Sequence, residues 1–335
     1  MAVKKVAKTN MSIQDEFVKH LRHLLPPSVG LAEELADILN VSIDSAYRRI
    51  RGETEISLNE IFTISKKYNF SVDEVFGQQK STVTFNYTKL TNDVKNFEEY
   101  LSRLIAHLQA MNKFENKKIF YIAEEVPIFY SFFSKKLTAF KLFYWQRSVL
   151  NIQEYQPKKF SWDLIPANLI DLAHNAYQEF LKVPSTEVWT NETILAGLRQ
   201  IYFYFESGLV SKEIALELID DYKAMAEMLN HNAASGRKNI SDANETFVLY
   251  QSDIILGTNC IYLQMGDSRY SYISFNTMNS LATSNAEFCE EIEHWMKNLE
   301  RKSNLISGIA EKQRYQFFNH MFKTIDDYVQ KIKNH

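Results

Sequence analysis

The stretch LAEELADILNVSIDSAYRRIRGETEISLNEIF, residues 31–62, decides how the first part of the chain is read. Its apolar positions run Leu35, Ala36, Ile38 and Leu39, break at Asn40-Val41-Ser42, and resume at Ala46 and Ile50. That is the period of two short amphipathic helices, 31–39 and 43–51, joined by a turn. Ser42 is placed to cap the second helix through its hydroxyl. Asn40 stands where the turn needs left-handed backbone, a place usually taken by glycine. Val41 plugs the turn, Ala46 is small enough for two helices to cross, and Gly52 closes the second helix. With Ala46 and Ile50 four apart and facing inward, Ile43, Asp44, Tyr47, Arg48 and Arg51 face outward.

This is the arrangement of a helix-turn-helix. The second helix of such a motif enters the major groove, with its first residues on base edges and its basic end on phosphate. Ser42, Ile43, Asp44, Ser45, Tyr47 and Arg48 are therefore the candidate reading or positioning residues, and Arg51 the candidate phosphate ligand. Arg49 is expected to lie along the domain surface. Helices are also predicted at 12–25, ended by Pro26-Pro27, at 57–68 and at 72–76, which makes a five-helix domain over residues 1–78.

The run LADILNVSIDSAYRRIRGETEISLNEIFTISKKYNFSVDEVFG resembles the helix-turn-helix domain of the Cro/C1 (XRE) repressor class, and within it the BetR-type variant. The resemblance spans about residues 12–77, under a quarter of the chain. It implies binding to a double-stranded DNA operator. Two positions depart from the pattern: Asn40 replaces the usual turn glycine, and Asp44 brings a carboxylate toward DNA. Over residues 11–77 there are seven basic and eleven acidic side chains, a net charge of -4. A single copy should then hold DNA weakly at physiological salt, and a homodimer on two half-sites is expected.

The whole chain has 335 residues, a formal charge of -3, 45% hydrophobic and 24% charged residues, so no chain-wide basic field exists and any nucleic-acid contact must be local. Nine glycines and six prolines are few for this length and argue for long helices. Cys260 and Cys289 form no CxxC pair and no disulfide framework, and read as buried thiols in a reducing compartment. The basic start MAVKKVAKTN leads into no apolar segment, and no run approaches the roughly 18 apolar residues of a membrane helix. A cytoplasmic protein without membrane contact is expected.

Residues 82–335 are read as a second, mostly helical domain with a small antiparallel sheet, so that the chain as a whole is mainly α. Strands are predicted at 82–87, 117–123, 246–251, 259–265 and 270–275, the last two joined at Gly266-Asp267-Ser268. Helices are predicted at 127–151, 166–182, 190–207, 211–230, 284–303 and 310–333. Leu90, Val94, Phe97, Leu101, Leu104, Leu108 and Met111 form a 4,3-spaced seam. It reads either as a dimerising helix or as an amphipathic helix on its own domain, and Tyr100 and Ile105 widen the stripe toward the second reading. Ten aromatics crowd residues 120–145, and Tyr202-Phe203-Tyr204-Phe205 follow in one helix, where they cannot all face one side. The stretches VPIFYSFFSKKLTAFKLFYW and FCEEIEHWMKNLERKSNLISGIAEKQRYQFF resemble, loosely, the companion region of bacterial regulators with such an N-terminal domain, which implies shared architecture and no particular ligand.

No catalytic or metal-binding set emerges. The eight histidines show no HxxxH pairing, and no GxGxxG, Walker loop or GxSxG is present. Ala196-Gly197 could serve a self-cleaving repressor, but it lies inside a predicted helix without a Ser-Lys dyad. The expectation is a transcription regulator rather than an enzyme, with no cofactor, a homodimer, and a C-terminal domain that dimerises and senses a small-molecule effector at unknown residues. The alternative is an interaction adaptor whose helix-turn-helix contacts protein and not DNA.

Overall fold

The computed structural model describes residues 12–25, 29–68, 70–72, 75, 82–89, 94–239, 244–275 and 279–335, with backbone alone for 94–96. The chain forms two compact units: Met1–Asn86 with Thr283–Asn285, and Tyr87–Ala282 with Ala286–His335.

The first unit holds four helices among its described residues: α1 (Ile13–Leu24), α2 (Leu31–Leu39), α3 (Ile43–Ile50) and α4 (Leu58–Tyr68). Each starts or ends where the sequence supplies a cap. Ser12 and Asp15 bond reciprocally at the head of α1. Ser57 and Glu60 do the same at α4, with Ser57 N donating to Glu60 Oε2 at 2.8 Å and Glu60 N to Ser57 Oγ at 3.3 Å. The core is Phe17, Leu21, Leu35, Ala36, Ala46, Ile64 and Phe70. The fifth helix expected at 72–76 falls largely outside the described residues, as do residues 1–10.

The second unit corrects the expectation more deeply. Its centre is an eight-stranded mixed sheet, not a small antiparallel one. The strands are β1 (Asn86–Tyr87), β2 (Lys117–Ala123), β3 (Ser185–Trp189), β4 (Phe247–Gln251), β5 (Cys260–Met265), β6 (Ser268–Phe275), β7 (Asn279–Thr283) and β8 (Asn304–Leu305). Their order is β1-β7-β6-β5-β2-β3-β4-β8. β2, β3 and β4 are parallel, with Tyr121 opposite Glu187 and Glu187 opposite Leu249. β5 and β6 form the expected antiparallel hairpin, with Gly266 at φ 58 in its turn. Parallel neighbours need long crossovers, and helices supply them. α5 (Val94–Asn112) precedes β2. α6 (Ile128–Ser131), α7 (Lys135–Tyr144), a π-helical turn at Trp145–Val149 and α8 (Ala167–Leu181) separate β2 from β3. α9 (Leu195–Glu206) and α10 (Lys212–Ser235) separate β3 from β4; α11 (Ala286–Arg301) lies between β7 and β8, and α12 (Glu311–Asn334) follows β8.

Alternation along β2 shows how the layers arise. Ile119, Tyr121 and Ala123 enter a large core with Trp189, Phe247 and the helices, while Phe120 and Ile122 enter a second core with Cys260, Cys289, Met296 and Leu299. The central strands are thus buried on both faces, as parallel strands usually are. The stretch 127–151 is not one helix. Ser134 breaks it by accepting the N–H groups of Lys136 and Leu137 and donating to Asp221. Of the aromatic quartet in α9, Tyr204 is fully buried, Phe203 is exposed, and Tyr202 meets Tyr328 of α12 edge-on at 5.7 Å.

Glu187 lies at the middle of β3 and is completely buried. Tyr130 Oη donates to its Oε1 at 2.6 Å, Ser185 Oγ to the same oxygen at 2.9 Å, and Trp189 Nε1 to Oε2 at 3.0 Å. Burial pushes its carboxyl up, while the ammonium of buried Lys238 and the three donors oppose that shift.

The seam resolves to its second reading over the described side chains. Phe97, Leu101, Leu108 and Met111 are buried in the large core of their own unit. Asn112 Nδ2 ties the end of α5 to α8 through Glu179 O at 3.0 Å and Oε2 at 2.9 Å. These side chains are not free to pair with a second chain; Leu90 and the Val94 side chain lie outside the described residues. Leu101→Ala is expected to lower unfolding free energy by about 2–5 kcal/mol in urea titrations and to leave the sedimentation coefficient unchanged. A change of assembly state would place the seam between chains.

Candidate nucleic-acid interface

α2 ends because Asn40 adopts φ 52, ψ 49, and its N–H returns to Ala36 O and Asp37 O. The left-handed residue is asparagine, a type that tolerates this region better than most. Val41 N then donates to Ala36 O at 3.0 Å, and the chain turns. Ser42 Oγ accepts Ser45 N at 3.2 Å and donates to Ser45 Oγ at 2.9 Å, which starts α3. Ala46 is fully buried where α3 crosses the core. Any larger side chain there would have to displace Phe17, Leu35 or their neighbours.

With that face fixed, the candidate residues fall as follows. Ser42, Ile43, Asp44, Tyr47, Arg48 and Arg51 are exposed, and Ser45 is half-buried. Both serine hydroxyls already bond to each other. The arginines are not bare cations. Arg48 Nε lies 3.0 Å from Asp44 Oδ2. Arg51 grips Glu53 with two bonds, Nε to Oε1 at 2.7 Å and Nη2 to Oε2 at 3.0 Å. This bidentate contact raises the Arg51 pKa and lowers that of Glu53. Such exposed pairs add little stability and exchange readily for other partners.

Arg49 has a different task. Its guanidinium is largely buried, donates from Nε and Nη2 to Glu60 Oε1 at 3.1 and 2.8 Å, and from Nη1 to Ser45 O at 3.1 Å. It cross-links α3 to α4 and so sets the rotation of α3. Gln14 of α1 completes the brace. Its Nε2 donates to Arg49 O and Thr54 O, both at 2.8 Å, and its Oε1 accepts Ile56 N at 3.1 Å. Glu60 has a local signal in the Ser57-x-x-Glu60 spacing. Gln14 has none, because its partners lie 35 to 42 residues away.

In the second unit, Glu125, Lys141, Gln200 and Tyr222 line a narrow cleft past the end of β2. Lys141 Nζ reaches Glu125 Oε2 at 3.4 Å and Gln200 Oε1 at 3.0 Å. The space suits little beyond ordered water. Gly197 lies in α9, and a Cβ there would meet Tyr222 Oη at 2.2 Å, which gives this glycine a packing reason. Cys260 and Cys289 are free and buried, and burial pushes the Cys260 thiol up to about 12. Among the described residues no group of three His, Cys, Asp or Glu side chains is placed to hold a metal, and no helix is long and apolar enough to cross a membrane.

No family model, no curated protein and no solved structure matches the chain.

Two expectations follow from the brace and its support. Gln14→Ala should destabilise the first unit by about 1–3 kcal/mol, because Ile56 N and two carbonyls lose their partner together; an unchanged melting profile would remove Gln14 from the brace. His20, on the inner side of α1, packs edge-on to Phe70 at 5.0 Å, and among the described residues its Nε2 has no partner. Burial, helped by His23, lowers its pKa from 6.5 to about 4. The unfolded chain binds the proton first, so stability is full above pH 6.5 and falls as the pH drops toward 4, by up to about 3 kcal/mol. His20→Leu should flatten that part of the stability–pH curve; an unaltered curve would show His20 to be solvated.

Proposed function

We propose that the chain is a sequence-specific DNA-binding transcription regulator. It acts as a homodimer on double-stranded operator DNA, and the second unit carries regulation by a ligand or partner. The observation that carries this reading is the outward face of α3. A small buried residue, a left-handed turn and the Arg49–Glu60 and Gln14 braces fix the helix so that Ile43, Asp44, Tyr47, Arg48 and Arg51 face away from their own core. A helix held in this way is the part of a helix-turn-helix that enters the major groove. Dimerisation follows from the acidic balance of the unit, since two half-sites double the phosphate contacts.

A second reading has its own observation. Arg48 and Arg51 already hold carboxylates, and Ile43 and Tyr47 are exposed apolar side chains. A face of that kind also suits protein contact, which would make the chain an adaptor.

Capture of genomic DNA fragments by the full-length protein at two salt concentrations separates the two. The regulator reading expects an inverted repeat enriched at low salt and lost as salt rises. No enrichment at either salt favours the adaptor. Arg48→Ala with Arg51→Ala should weaken operator binding by about two orders of magnitude or more, with the fold intact because both side chains are exposed. Retained affinity in this variant would remove α3 as the reading helix.

A further inference from the structure

The outward face of α3 divides lengthwise. Ile43 and Tyr47 are four apart and share one edge, 51% and 44% exposed. Beside them runs a polar strip of Arg51, Asp44 and Arg48, in which Asp44 and Arg48 are joined at 3.0 Å. Neither strip belongs to the buried core of the unit. Ala46, Val41 and Ile50 already meet the core of the unit. An exposed pair like Asp44–Arg48 contributes little to stability.

Each strip has a counterpart in the major groove. The thymine C5-methyl is the apolar feature a base pair shows there. A G·C pair shows acceptors, N7 and O6, next to the amino donor of cytosine N4. Asp44 and Arg48 together show the complement: an acceptor next to a fork of donors. A carboxylate is repelled by phosphate, so a pair that includes Asp44 is suited to base edges and not to the backbone. Arg51, bound to Glu53 just past the end of the helix, is placed for phosphate once it exchanges partners.

Resting on the DNA-binding reading above, we propose that α3 reads a G·C pair with Asp44 and Arg48 acting as one unit, and a nearby thymine methyl with Ile43 and Tyr47. The half-site is then defined by chemistry: one G·C pair for the ion pair, and thymine under the apolar edge. The thymine methyl can be removed from the DNA without other change, so this contact can be tested on the nucleic acid itself.

The test selects duplexes from a randomised pool with the full-length protein at low salt. The selected site is then resynthesised with uracil for thymine, one position at a time, which removes only the methyl group. At one thymine per half-site, uracil should weaken wild-type binding by about threefold to fivefold and leave the Ile43→Ser, Tyr47→Ser double variant unaffected. Asp44→Ala, which removes the acceptor, should lose the preference for cytosine at one position and bind unselected DNA more tightly, because a negative charge leaves the phosphate field. Salt-sensitive DNA binding that is indifferent to uracil, or a selected site without a fixed G·C pair, overturns this inference and leaves DNA binding standing. No DNA retained at low salt overturns both.

Discussion

Strand β2 has to bury two faces at once, and the second unit is arranged around that constraint. Ile119, Tyr121 and Ala123 face one way and Phe120 and Ile122 the other, so both sides of the sheet need cover. The helices of the parallel crossovers cover one side, and α11 supplies Cys289, Met296 and Leu299 on the other. The same constraint explains Glu187. A carboxylate on the helix side of β3 has no access to water, so it is held by the Tyr130, Ser185 and Trp189 donors, with the Lys238 ammonium also acting on it. A polar group this deep carries a desolvation cost and is tolerated because donors meet both of its oxygens.

The first unit works on a smaller scale and by a different device. Its core is a handful of side chains, and the angle at which α3 leaves it is set by polar braces at its edge. Arg49 and Gln14 fasten the end of α3 and the following loop to α4 and α1. The three arginines of the cluster therefore divide between two tasks. Arg49 faces inward and orients the helix, while Arg48 and Arg51 stay outside on exchangeable partners. The outward face is close to neutral in its isolated state. Recognition by such a face would depend on exchanging ion pairs and on apolar contact more than on free charge.

Much of this was legible along the chain. The helices of the first unit begin and end at Ser12, Asn40, Ser42 and Ser57, residues whose side chains act within a few positions of themselves. The strand at 117–123, the hairpin at Gly266 and the two closing helices were equally open to reading from alternation and period. Strand β3 was not. It has five buried residues with a carboxylate in the middle, so it lacks both alternation and a clean apolar run. Without β3 the parallel crossovers vanish and the remaining strands look like a small antiparallel set. β7 and the two-residue β8 were missed for a related reason: short strands are defined by their neighbours more than by their own residues.

The sequence by itself determined the local events: the caps, the turn at Asn40, the small residue at Ala46, and which side chains of α3 share a face. Each depends on groups within about one helical turn of each other. Only the tertiary structure decided that the 4,3-spaced seam is spent inside its own unit against α8, that Arg49 is a brace, that Gln14 reaches across to residues 49–56, and that β2, β3 and β4 run parallel. Those outcomes depend on which surfaces meet across tens of residues. An amphipathic stripe states how much surface must be buried, and it does not name the partner that buries it.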